Sequence, residues 1–180
     1  MSRRELRLAG SGGQGVILAS VIVAEAALLD GLHVAQSQSY GPEARGGSCK
    51  AEVVMDERPI GFTKVQRPTF VMALTQKALD TYGVGLDEGC IVLMDSSLEE
   101  PESLNGLKVV KAPILETAKE KVGRLQTANI VAVGCIARLI GMDDMENVRK
   151  AVLMHVPKGT EALNLKALDE GLSLVNGTGV

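Results

Sequence analysis

Residues 5–29 read as a strand, a glycine loop and a long apolar helix, and no other segment restricts the fold as tightly. Leu6 and Leu8 alternate with Glu5 and Arg7 at the two-residue period of a strand. The loop Gly10-Ser11-Gly12-Gly13-Gln14-Gly15 follows. Residues 16–29 are then apolar on nearly every face, as in a helix buried between a sheet and a further layer or subunit. That order sets bare backbone N–H groups and the positive end of a helix beside any anion in the loop. A second segment, Ser39-Tyr40-Gly41-Pro42-Glu43-Ala44-Arg45-Gly46-Gly47, is too long and too mixed for a hairpin turn. Its glycines alternate with side chains able to grip something.

The rest of the chain alternates strands and helices. Strands are expected at residues 33–37, at 49–56 with one wet face, at 70–74, at 91–94 and at 109–112. Helices are expected at 76–82, 114–122, 129–139, after a capping pair of Asp143 and Glu146, and at 160–175. No linker, repeat or low-complexity tract interrupts them. The expected architecture is a three-layer α/β fold with a mostly parallel sheet, residues 1–180 forming a single domain.

Gly10, Gly12 and Gly15 fit the spacing G-x-G-x-x-G of dinucleotide sites. The second strand should then end in an acid for the ribose, but it runs Val34-Ala35-Gln36-Ser37-Gln38. No Gly-Lys-Ser/Thr follows, so the loop is not a P-loop. A bare structural turn and a phosphate cradle stand level. Arg45 is open in the same way, between a salt bridge to Glu43 and a guanidinium fork offered to a phosphate, carboxylate or partner acid. His33 and His155 read as packed or surface residues, and Ser11, Ser37 and Ser39 lack a triad partner. Cys49, Cys90 and Cys135 are odd in number and without a C-x-x-C, which argues for buried thiols in a reducing, cytoplasmic setting and against a metal or cluster. Aromatic residues at 2% and a net charge of -3 exclude nucleic-acid binding by stacking or phosphate neutralisation. The apolar run 16–29 is too short to span a bilayer. By chemistry alone the chain lacks the equipment of a complete enzyme.

The strings Gly10 to Val16, Gln38 to Gly47 and Thr127-Ala128-Asn129 together resemble the gamma subunit of 2-oxoacid:ferredoxin oxidoreductases, the 2-oxoglutarate type more than the pyruvate type. The resemblance runs from the first strand to about Gly141, with fainter likeness at Asn164, Ala167 and Gly171. It implies the Rossmann-like gamma domain of pyruvate:ferredoxin oxidoreductase, without catalytic residues of its own. The implied complex oxidatively decarboxylates a 2-oxoacid with coenzyme A, giving acyl-CoA, carbon dioxide and reduced ferredoxin. Thiamine diphosphate, magnesium and iron–sulfur clusters are then expected on alpha and beta subunits and a small iron–sulfur delta subunit. Coenzyme A becomes the candidate ligand of Gly10, Gly12, Gly13, Gln14, Gly15, Tyr40, Arg45, Gly46 and Gly47. The helix 16–29 and the loop 40–47 are expected to meet another subunit, or a second copy when the chain is alone. The competing reading is a stand-alone nucleotide-binding redox or regulatory domain using Gly10–Gly15.

Overall fold

The computed structural model describes residues 3–40, 47–142 and 144–177. The elements, in chain order, are β1 (Arg4–Ser11), α1 (Val16–Leu29), β2 (His33–Tyr40), β3 (Ser48–Asp56), β4 (Phe70–Ala73), α2 (Gln76–Tyr82), β5 (Ile91–Asp95), β6 (Lys108–Ala112), α3 (Ile114–Glu116), α4 (Ala128–Leu139), α5 (Met145–His155) and α6 (Glu161–Leu174). The six strands form one sheet in the order β2-β3-β1-β4-β5-β6. β1, β4, β5 and β6 are parallel, while β3 runs antiparallel to both β1 and β2. The sheet is therefore mostly parallel, as expected, with one reversed strand lodged beside its centre.

The two-residue period of the strands sorts their side chains between two unequal layers. Leu6 and Leu8 lie opposite Val53 and Ala51, and this face joins Phe70, Met72 and Leu93 in the main core. α1 covers β1, β2 and β3 here, α4 packs beside α1, α5 on α1, and α6 on α4. On the other face Ala9, Ala73, Val92 and Met94 meet Ala78 and Leu79 of α2. Helices thus lie on both sides of the sheet, giving the three layers.

β3 has no wet face. Val54 is fully buried, and Glu52 and Asp56 are only 6% exposed each. The alternation is real, but its polar positions are covered by the segment 57–69 and neutralised locally. Arg7 Nε donates to Glu52 Oε1 at 2.9 Å, Lys50 Nζ lies 3.0 Å from the same oxygen, and both cations flank the ring of Tyr82. A buried carboxylate needs such partners, because removing it from water unpaired costs several kcal/mol. Glu5 ties the covering segment down by accepting from the Gln66 and Arg67 amides at 2.6 and 3.0 Å.

Other boundaries move for local reasons. β1 extends through Gly10 and Ser11 because Cys49 and Ser48 continue the pairing, and β2 reaches Tyr40 for the same reason. The helix expected over 114–122 is helical only to Glu116 and continues as wider π turns over Thr117–Val122. The N-cap of α5 is Asp144, whose Oδ1 accepts from the Glu146 and Asn147 amides; Asp143 lies outside the described residues.

α4 and α6 touch backbone to backbone. A Cβ on Gly171 would fall inside contact with the Val131 carbonyl, and one on Gly134 would do the same to the Leu168 carbonyl. Cys135 Sγ donates to the Gly171 carbonyl at 3.3 Å across the same seam. Gly171→Ala should therefore cost about 1–3 kcal/mol or more in urea unfolding, since the crowded atoms are backbone and cannot rotate away. Gly61→Ala, facing open space, should stay within about 0.5 kcal/mol.

Glu5 sets an acid limb of stability. Burial pushes its carboxyl up, but hydrogen bonds from Arg3, Arg67 and Gln66 and the Arg3 charge outweigh burial and hold it below its ordinary 4.5. With the folded value below the unfolded one, its contribution is complete above about pH 4.5 and is lost as pH falls through the folded value. Glu5→Gln should flatten that part of the urea-midpoint-versus-pH curve, and an unchanged acid limb would refute the assignment.

Candidate functional site

The chain leaves β1 towards β2 on one side of the sheet, whereas β4 adjoins β1 on the other. In open α/β sheets the carboxyl ends of two such strands frame a crevice where ligands bind. Here Gln14 lies across it. Its Oε1 accepts from the Ser11 amide at 2.8 Å, and its Nε2 donates to the Leu74 carbonyl at 3.4 Å. Gly10 makes room for that side chain, since a Cβ there would stand 2.5 Å from Gln14 Oε1.

The loop amides divide into engaged and free. Gly12 N–H donates to the Gly47 carbonyl at 2.9 Å and Gln14 N–H to Ser11 at 3.2 Å. The first of these bonds joins the two glycine segments of the sequence. Among the described residues the Gly13 N–H has no partner, and Gly13 is exposed at φ 94. Gly15, at φ 71, caps α1, and the Asn129 amide lies directly on it: a Cβ at Gly15 would stand 2.6 Å from Asn129 Nδ2. Only glycine satisfies both the left-handed backbone and that contact.

Asn129 therefore brings the third motif of the sequence, Thr127-Ala128-Asn129, onto the first. It is 4% exposed, and its side chain makes no hydrogen bond among the described residues. Two depressions of about 210 Å³ each meet at Gln126 beside it. One is lined by Gly13, Gln14, Leu115, Leu125 and Ala128, the other by Leu18, Arg124, Thr127, Asn129 and Asn164. The Arg124 guanidinium is exposed and pairs with no carboxylate among the described residues. The N-termini of α1 and α4, the Gly13 amide and Arg124 give this groove a positive, donor-rich end, and Leu115, Leu125 and Leu18 give it apolar walls. Such a surface suits an elongated ligand with an anionic group and an apolar arm.

Arg124 and Gln126 escaped sequence reading, although they directly precede a recognised motif. Tyr40 pairs with Cys49 at the end of β2, so its backbone lies close to Gly47. Glu43, Arg45 and Gly46 lie outside the described residues.

The geometry is hostile to a dinucleotide. Antiparallel β3 occupies the place beside β1 where such a site puts its second strand, and β2 is displaced to the sheet edge. Among the described residues no histidine or cysteine lines the groove. His33 is exposed on the edge strand, and His155 Nε2 sits 3.7 Å from Glu25 Oε2 on the helical side. All three thiols are free and buried. Burial raises the Cys49 thiol, lifts Cys90 to about 11 (Asp87 adding to the rise and Arg7 opposing it), and lifts Cys135 to about 12. Among the described residues no three His, Cys, Asp or Glu side chains gather as a metal site, and no helix is long and apolar enough to cross a membrane.

Known proteins share this arrangement. The family model for pyruvate ferredoxin/flavodoxin oxidoreductase matches residues 5–174. The 2-oxoglutarate synthase subunit KorC of Methanocaldococcus jannaschii is 44% identical over 172 residues, covering 94% of this chain and 92% of its own. The gamma subunit of a keto/oxoacid ferredoxin oxidoreductase from Geobacter sulfurreducens superposes with a TM-score of 0.86 at 42% identity, over 97% of each chain. A 2-oxoglutarate:ferredoxin oxidoreductase from Magnetococcus marinus, solved with 2-oxoglutarate, coenzyme A and succinyl-CoA, contains the same fold. Its TM-score is 0.87 at 22% identity, over 97% of this chain and 31% of the larger one.

The thiol environments carry their own expectation. At pH 8 a thiol-specific reagent should label none of the three cysteines in the native chain and all three in urea, because each thiolate is disfavoured by burial. Rapid labelling of Cys90 in the native state would contradict its placement.

Proposed function

This chain belongs to the pyruvate ferredoxin/flavodoxin oxidoreductase family, and we propose that it is the gamma-type subunit of a 2-oxoglutarate:ferredoxin oxidoreductase. The observation that carries the reading is the nearly full-length, 44% identical match to a 2-oxoglutarate synthase subunit. The complex converts 2-oxoglutarate and coenzyme A to succinyl-CoA and carbon dioxide and passes the released electrons to ferredoxin. This subunit contributes binding surface, not chemistry, in keeping with thiols held protonated by burial and with groove walls that carry no histidine among the described residues.

In this reading residues 1–180 act as one domain and the groove receives part of coenzyme A. A phosphate lies against the Gly13 amide and the N-terminus of α1, Arg124 supplies a countercharge, and Asn129 gives its amide to a polar group of the ligand. Tyr40, Arg45, Gly46 and Gly47 are assigned to the same ligand from the sequence motif they share, with Gly10, Gly12, Gln14 and Gly15 as the scaffold of the first loop. The donor set of this chain does not fit an iron–sulfur cluster, because its three thiols are buried apart, on β3, before β5 and within α4. Clusters, thiamine diphosphate and magnesium belong on the alpha, beta and delta partners. Free thiols suit a cytoplasmic complex.

Reconstitution tests both levels. The isolated chain should show no turnover of 2-oxoglutarate, and activity should appear on co-expression with thiamine-binding partners. Hydride transfer to a nicotinamide by the lone chain would falsify the assignment. In the assembled complex, Asn129→Ala and Gly13→Val should each raise KM for coenzyme A about tenfold, equivalent to about 1.4 kcal/mol, with kcat largely kept. A Cβ at Gly13 meets no atom of the described residues within 4 Å, so the cost of Gly13→Val arises from the positive φ and from crowding of the ligand. Unchanged KM with normal assembly would leave the groove without a coenzyme A role.

A further inference from the structure

The two edges of the sheet are built differently. β6, with the sequence KVVKA, carries Lys108 and Lys111, the kind of charge that keeps an exposed edge from pairing with another strand. β2 is the other edge, eight residues long, and HVAQSQSY contains no lysine, arginine, acid or proline. Among the described residues its backbone is paired on the β3 side only.

The helix above this edge is equally unprotected. Gln36 Nε2 donates to Ser20 Oγ at 2.9 Å, which pins α1 to β2. At 100° per residue, Ile17, Val21, Ala24 and Leu28 fall on one strip next to Ser20. Ile17 and Val21 are half-buried and Leu28 is 51% exposed, with no charge among the four. A neutral strand edge and an apolar helix stripe thus lie side by side.

We infer that this surface is an interface at which a second copy of the chain adds its β2 antiparallel, extending the sheet across a two-fold axis at Ser37. The pattern is self-complementary. With that axis, Ser37 faces its own copy, Gln36 faces the partner's Gln38, Ala35 faces Ser39 and Val34 faces Tyr40, each pair on one face of the sheet, so no like charges oppose one another. The same operation brings the Ile17–Val21–Leu28 stripe beside its own copy. At β6 it would crowd lysines together instead. Isologous pairing satisfies edge amides and buries apolar surface in one step.

Sedimentation equilibrium of the full chain tests this, with a particle of twice the 19.0 kDa chain mass expected. Ser37→Lys at the edge and Val21→Glu on the helix should each weaken self-association about tenfold or more, with unchanged far-ultraviolet circular dichroism. Lys111→Ser on the opposite edge should leave it intact. A spin label on Ser37→Cys, selective because the native thiols are buried, should show broadening from a second label one strand spacing away, about 5 Å between backbones. The same broadening is expected in the assembled complex. A monomeric wild-type chain, a dimer indifferent to both substitutions, or a complex whose label sees no second label would each overturn the inference.

Discussion

Antiparallel β3, inserted beside β1, is the constraint from which the rest of the molecule follows. Its ladder with β1 carries the pairing to Ser11 and Ser48, so the two glycine segments meet at the Gly12–Gly47 bond. The insertion pushes β2 to the edge and deprives the first loop of the neighbour that a dinucleotide would need. It also places Glu52 next to Arg7 and Lys50, converting one half of a sheet face into a buried ionic cluster in place of a second helical layer.

A second dependence runs through the α4–α6 seam. Gly134 and Gly171 let two backbones approach closely, and that approach fixes α6. Asn164 near the start of α6 then reaches the groove, held by its own bonds to Thr160 at 2.9 Å. Asn129, near the start of α4, reaches the same groove from the other helix. The residues that close the fold and the residues that shape the binding surface thus occupy the same two helices, a turn or two apart.

Much of this was legible from periodicity. α1 and α2 begin and end where the apolar pattern and the following glycines put them. The continuous apolar runs at β4 and β5 announced strands covered on both sides, and both strands are parallel and central. Strand ends were less legible, because pairing partners far along the chain decide them: β1 lengthens only because Ser48 and Cys49 arrive beside it. The polar alternation of β3 suggested solvent because a sequence does not show which cation will stand opposite Glu52. The groove had the weakest signature. Arg124 and Gln126 occupy an irregular turn with no period, and only contact between Asn129 and Gly15 gives them a common purpose. The glycines of the first loop were recognised as a group, yet they perform separate tasks. Gly10 admits Gln14, Gly12 joins the second segment, Gly13 stays open and Gly15 turns the chain under Asn129.

The unpartnered amide of Asn129 has a thermodynamic meaning beyond recognition. Its polar atoms open onto the groove wall, where solvent or a ligand group can satisfy them. A ligand group that takes the place of solvent there engages a surface present only while α1 and α4 are docked at the Gly15–Asn129 contact. Any molecule that does so binds the folded state alone and shifts the unfolding equilibrium in its favour. Occupancy of the groove is consequently coupled to the docking of α1 on α4, so a filled subunit is also a better-folded one.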